Sequence, residues 1–300
     1  MGIRNNNVIF LKYFTAPNFG DALSPYLLKE LSGMEVKDKT LTFQSIWEYL
    51  FYVIKCIINR EFYGLKLIEM PWHKVVIAVG SMLKFSKKNS QVWGCGFMNF
   101  GESCEGGKIY AVRGKLSNDR LKELGVICED VVLGDPALLL PLIVPPPSKF
   151  KKKKIGLIPH YKEVEWFYNK FKGQKIIDLR TRNIKRVVEE ICQCEYILSS
   201  SLHGLIVSQA YGIPALWVRN KESMDTDGFK FLDYFSSVGI KNYDPYDINS
   251  INFCKEDLIE DLFINNQSQT LIQYSLNEIQ KLLLEVAPFD LCNKYQNYCI

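Results

Sequence analysis

The chain has 300 residues, 47% of them apolar, with 37 basic and 33 acidic side chains for a net charge of +4. That apolar content excludes a disordered chain, and the even mixing of charge excludes the concentrated basic stripe of a nucleic-acid-binding protein. No run reaches the roughly 18 uninterrupted apolar residues of a membrane span.

The first strand expected is Val8–Tyr13, followed by a loop carrying Asn18, Gly20 and Asp21. Ser24–Pro25 reads as an N-cap with proline at the first helical position; Leu23, Leu27 and Leu31 recur every fourth residue, and Gly33 ends the helix. Ile46–Ile58 is strongly apolar but broken by Glu48 and Lys55. It suits either a buried helix or one lying at an interface, and burial is the favoured reading.

Val75–Val79, Gln91–Gly94, Ile109–Val112 and Val131–Leu133 continue the strands of the first half. Three prolines and a lysine run then mark residues 145–154 as an exposed linker between an N-terminal domain, 1–144, and a C-terminal domain, 155–300. The lysines suit solvent, or alternatively an anionic membrane surface. Strands are expected at Lys154–Pro159, Lys175–Leu179, Tyr196–Leu198 and Ala215–Val218. Leu202, Ile206 and Ala210 place a helix after the third of these, stopped by Gly212 and Pro214. Phe229–Val238 and Ser268–Val286 read as further helices, the last packing against the body. Strands alternating with amphipathic helices predict an α/β fold of two parallel-sheet domains facing across a cleft.

The unusual residues fall just after the C-terminal ends of strands, the edge of an open α/β sheet at which ligands bind. Asn18, Gly20 and Asp21 follow the first strand; Gly80 and Ser81, Arg113 and Gly114, and His160 follow later ones; Ser199, Ser200, Ser201, Leu202, His203 and Gly204 form a turn into a helix. Unpaired N–H groups at such a helix start make an anion site. The nine cysteines are odd in number and show no disulfide framework. With no signal-peptide pattern at the N-terminus, they lead us to expect a reducing cytoplasm. Cys192 and Cys194 lack a second pair at zinc spacing and read as buried thiols, so no metal is expected.

Motif by motif, the chain resembles the polysaccharide pyruvyl transferase family, and most closely its bacterial exopolysaccharide branch. The matching pieces are Asn18-Phe19-Gly20-Asp21, Gly80-Ser81-Met82-Leu83, Trp93-Gly94-Cys95-Gly96, Val112-Arg113-Gly114, Gly134-Asp135-Pro136-Ala137, Ile155 through His160, Ser201-Leu202-His203-Gly204 with Gly212-Ile213-Pro214, and Lys230 through Tyr234. They occur in the family's order over about residues 8–235. The resemblance implies two Rossmann-like domains in a GT-B-like arrangement. It also implies transfer of the pyruvyl group of phosphoenolpyruvate onto a sugar, forming a cyclic ketal across two hydroxyls, with no further cofactor. Many family members have arginine where this chain has Ser201.

On that reading His203 serves the phosphoenolpyruvate site as general acid or phosphate donor, and Asp21 accepts a proton from a sugar hydroxyl with Asn18 and Gly20 beside it. Arg113, His160, Ser200, Ser201, Leu202, Gly204 and Lys230 are the expected binding residues, Arg113 having a structural salt bridge, for instance with Asp135, as its rival role. His73 is read as structural, and Trp93, Phe97 and Trp217 as core. The expected partners are phosphoenolpyruvate and a sugar or lipid-linked oligosaccharide. A cytoplasmic location is expected, with peripheral contact at the inner face of the membrane if the acceptor is lipid-carried. A nucleotide-sugar glycosyltransferase and a non-catalytic carbohydrate-binding scaffold remain the alternatives.

Overall fold

The structure is a computed structural model that describes residues 8–43, 45–148, 153–220 and 227–298. Two parallel sheets organise it. In the first, β1 (Val8–Leu11), β2 (Glu35–Asp38), β3 (Val75–Ile77), β4 (Ser90–Trp93), β5 (Lys108–Val112) and β6 (Val132–Leu133) lie in the order β2-β1-β3-β4-β5-β6. In the second, β7 (Lys153–Ile158), β8 (Lys175–Ile176), β9 (Cys194–Ser199), β10 (Ala215–Arg219) and β11 (Tyr246–Asp247) lie in the order β11-β10-β9-β7-β8. Both orders reverse beside their first strand, the topology of Rossmann-like sheets, so each has a switch point: between β1 and β3, and between β7 and β9.

The strands expected from sequence are present with shifted ends: β1, β3, β6 and β8 are shorter than expected, and β5, β9 and β10 are longer. β2 and β11 were not expected. β2 reads Glu-Val-Lys-Asp and alternates between exposed and half-buried positions, while β11 has only two residues. Both lie at sheet edges, where the apolar run that marks an inner strand is not required.

Helix α1 (Phe19–Ser32) begins five residues before the expected N-cap. Asn18 is its cap, its side-chain oxygen accepting from the N–H of Gly20 at 2.8 Å, and Pro25 lies inside the helix. Ser24 instead accepts from the N–H of Val79 at 3.0 Å, tying α1 to the end of β3. Gly33 closes the helix at φ 70° as expected.

Helix α2 (Ile46–Ile58) has the expected bounds and the opposite of the favoured environment. Its one fully buried residue is Cys56. The helix is apolar on nearly every side, yet its inward face is the one bearing Tyr49, Tyr52 and Cys56, which meets Phe43 and the turn at Gly64. The arc that carries Ile46, Trp47, Leu50, Phe51, Ile54, Ile57 and Ile58 is exposed.

Helices α3 (Lys115–Glu123), α4 (Ile184–Cys192), α5 (Leu202–Ala210) and α6 (Phe229–Val238) surround the sheets' C-terminal edges. The expected helix over 268–286 is split: a turn at Gln267–Thr270 precedes α7 (Leu276–Glu285), which Ser275 caps. α7 returns to the first sheet, where Leu283 and Ile279 pack under Gly134 and the carbonyl of Leu283 accepts from the indole N–H of Trp93 at 2.9 Å. One apolar core cluster runs through both halves, joining Leu23 and Leu27 of α1, Leu138 and Leu139, Leu205 and Ile206 of α5, and Leu283, with smaller clusters in each half. Of the expected linker, residues 149–152 lie outside the described residues.

Candidate active site

The two switch points meet. At the first, Asn18, Gly20 and Asp21 open α1 and Gly80 follows β3; at the second, His160 follows β7 and Ser200 to His203 lead from β9 into α5. The N–H of Phe19 donates to the carbonyl of Leu179 at 2.8 Å, a backbone bond between the halves next to Gly20.

His203 lies in this junction. A Cβ on Gly20 would stand 2.1 Å from Nδ1 of His203, so glycine at this helical position is required by the imidazole against it and not by backbone conformation. A Cβ on Gly80 would stand 3.9 Å from the same ring. The ring therefore lies against main chain in the first turn of α1, close to the loop after β3. Its Nε2 is sealed from solvent without a hydrogen-bond partner among the described residues. Burial, with the positive charges of Arg113 and Lys230, pushes the imidazole pKa down to about 3, so the free protein holds it neutral.

Asp21 shows the opposite shift. Burial raises its carboxyl to about 6, within reach of neutral pH for proton exchange. Its neighbour Asn18 spends its side-chain oxygen on the helix cap.

The serine turn divides into parts. Ser199 accepts from the N–H of Ser201 at 3.0 Å and fixes the turn. Ser200 accepts from the N–H of His160 at 2.8 Å and donates to Glu163 at 2.5 Å, so its hydroxyl braces the two loops. Ser201 occupies the N-cap of α5, and its side chain makes no capping bond. Leu202 is buried in the core, so it offers the site its backbone N–H only. Gly204 serves packing: a Cβ there would meet the Ser199 hydroxyl at 2.4 Å and Ile158 at 2.8 Å, so glycine lets α5 lie close on β7 and β9. Among the expected residues of this turn, the first-turn N–H groups and His203 remain for an anion.

A cavity of about 270 Å³ opens at the edge of the second sheet, lined by His160, Glu163, Ser200, Trp217, Lys230 and Phe231 among others. Its volume lies at the low end of small-ligand pockets. Trp217 and Phe231 stack at 4.2 Å as an aromatic wall, and the Lys230 ammonium lies 5.3 Å from the Phe231 ring. All of its lining comes from the C-terminal half, so the cavity is not the shared interdomain pocket expected from sequence. Lys230 joins the two regions, lining the cavity while its charge acts on His203.

Arg113 does not face the cavity. Its side chain is fully buried, paired with Asp233 at 3.0 Å, and donates to the Ser81 hydroxyl at 2.8 Å and to the carbonyl of Phe97. The structural salt bridge is the role it fills, with Asp233 in place of Asp135. A buried guanidinium needs an acidic partner more than it needs a ligand, and Asp233 of α6 supplies it. The same carboxylate accepts from the N–H of Ser117 at 2.8 Å and from its hydroxyl at 2.6 Å, capping α3, whose own N-cap Gly114 has no side chain to do so.

Sequence reading missed Glu163 and the full roles of Asp135 and Asp233. Asp135 is wholly buried: one oxygen accepts from the N–H of Ala137 at 2.9 Å, the other has no partner among the described residues, and burial pushes its pKa up to about 7. The available signals were a cap glycine with no side chain at 114 and an acid three residues beyond His160.

The chain matches the sequence model of polysaccharide pyruvyl transferases over residues 18–222, the span that carries both switch points. It belongs to the polysaccharide pyruvyl transferase family. It is also similar to an uncharacterized protein of Acanthamoeba polyphaga mimivirus, 29% identical over 222 residues that cover 68% of this chain and 77% of the viral one. The protein is therefore a transferase, and the residues at its two switch points are the candidates for pyruvyl transfer to a polysaccharide.

Proposed function

We propose that the transferase takes its pyruvyl group from phosphoenolpyruvate and builds a cyclic ketal across two hydroxyls of one sugar in an exopolysaccharide or capsule repeat unit. The C-terminal half holds the donor, and the N-terminal half presents the acceptor from the side of Asp21 across the junction. The observation that carries this reading is the buried, partnerless Nε2 of His203 at the start of α5, with Gly20 of α1 against its ring. Such a nitrogen is costly unless a ligand completes it.

The reaction defines what these groups must do. A proton adds to the C3 methylene, one sugar hydroxyl bonds to C2, and the second hydroxyl displaces phosphate from C2. Of the two hydroxyl protons released, one balances the new methyl group and the other leaves with phosphate. A dianion set against the α5 N–H groups and Lys230 opposes the positive field at His203 and so raises its pKa above the value that burial, chiefly, sets in the free protein. The carboxylate of Asp21, with a pKa of about 6, accepts a hydroxyl proton as C–O bond formation proceeds. Lys230 and His160 neutralise the donor in a site of limited water access.

Incubating the protein with phosphoenolpyruvate and candidate repeat-unit glycans tests this by mass spectrometry: a pyruvate adduct should form and be abolished by His203→Ala. Thermal stabilisation by nucleotide sugars but not by phosphoenolpyruvate would overturn the choice of donor.

A further inference from the structure

Helix α2 presents an apolar face that the fold does not use. Ile46, Trp47, Leu50, Phe51, Ile54, Ile57 and Ile58 are all exposed, Trp47 at 77% and Phe51 at 72%. At 3.6 residues per turn they form one unbroken arc of about 140°, opposite the inward-facing Tyr52 and Cys56. Trp72, 75% exposed, extends the same surface from the loop before β3. An apolar surface of this extent on a folded chain marks an interaction site.

Its border is basic. Lys55 stands at the edge of the arc, and a groove of about 970 Å³ beside the start of α2, shared by Ile46 and Trp72, is lined also by Lys74, Lys87, Lys88 and Lys108. Two acids share that groove, Glu105 and Glu69, the second already paired with Lys12 at 2.8 Å, and Glu48 lies on α2 with Lys55, so lysines outnumber acids around the arc. A second copy of the chain is the poorer occupant, because a two-fold contact would bring one lysine border against the other. Tryptophans on an apolar helix face with lysines around it match the headgroup boundary of an anionic bilayer. No helix among the described residues is long and apolar enough to cross a membrane, so the contact is one of lying on the surface.

We propose that this face docks the protein on an anionic phospholipid surface, with the α2 arc and Trp72 at the acyl boundary and the groove lysines on lipid phosphates. The full chain is tested by co-sedimentation with vesicles of phosphatidylcholine alone or mixed with phosphatidylglycerol. Binding is expected to the mixed vesicles only, with a blue shift of tryptophan emission. Trp47→Glu with Ile54→Glu should weaken it by roughly tenfold or more, and Lys87→Glu with Lys88→Glu should weaken it and flatten its salt dependence. These side chains face outward, so the thermal unfolding of both variants should match that of the parent. The proposal is overturned if the parent ignores the mixed vesicles, if the variants bind them undiminished, or if sedimentation velocity shows a stable dimer that the apolar variant disperses.

Discussion

The carboxylate of Asp233 lies 3.0 Å from the guanidinium of Arg113 with both side chains wholly buried, and the two residues come from opposite halves of the chain. Because the same carboxylate also caps α3, it holds helix and ion pair together across the junction. The glycines around it follow from that closeness: a Cβ on Gly114 would overlap the Asp233 carbonyl at 1.7 Å, and one on Gly96 would stand 2.5 Å from the guanidinium.

Asp233→Ala therefore leaves a buried charge unpaired and α3 uncapped, and should cost about 3–5 kcal/mol of unfolding free energy. Arg113→Met combined with Asp233→Leu should cost less than the single change. Urea unfolding of the parent, Arg113→Met, Asp233→Leu and the double variant measures the coupling.

Gly20→Ala should act on the imidazole and not on the helix, since alanine suits a helical position better than glycine. Displacing the His203 ring is expected to lower kcat roughly hundredfold. Added to His203→Ala, which removes both the ring and the transfer activity, the same change should no longer destabilise the fold, and urea unfolding of the double variant against His203→Ala decides this.

His203 gives the protein a sensitivity to acid. The folded state holds its imidazole pKa at about 3 against 6.5 in the unfolded chain, so the unfolded chain alone binds the proton between those values. Its contribution is complete above pH 6.5 and is lost as pH falls toward 3. His203→Gln should remove that loss, on the order of 2 kcal/mol near pH 4.5, in unfolding curves taken across the range.

Asp21 has the opposite sign. Its folded pKa of about 6 exceeds the unfolded 3.8, so the folded state binds the extra proton, and that advantage is lost as pH rises through 6. Asp21→Asn is expected to stabilise the protein by about 3 kcal/mol above pH 6, with little difference below pH 4. The same variant should abolish the acidic limb of kcat/KM near pH 6 if the carboxylate takes the hydroxyl proton.

Lys230→Met should raise the His203 pKa by removing one of its two positive neighbours, read from the ring proton shifts by NMR. It should also weaken stabilisation by phosphoenolpyruvate, because the cavity loses its ammonium.

Much of this arrangement was legible before any fold was known. The strand cores, the bounds of α2 and α6, the left-handed stops at Gly33 and Gly212, and the clustering of Asn18, Gly20, Asp21 and His203 after strand ends all depend on near neighbours in sequence. The start of α1 was misread because Ser24–Pro25 carries the local signature of a cap. Its hydroxyl instead serves Val79, 55 residues away.

Local pattern, through periodicity, glycine stops and turn chemistry, determined that the chain builds two parallel sheets with helix starts gathered at their C-terminal edges. Only the tertiary structure decided that Arg113 is matched by Asp233 and that α7 returns to the first sheet. It alone decided that the most apolar helix, α2, faces outward. The reason is physical: hydrophobicity states that a surface seeks cover, and a buried charge states that it seeks a partner. Which partner is found depends on what the folded chain brings within a few ångströms.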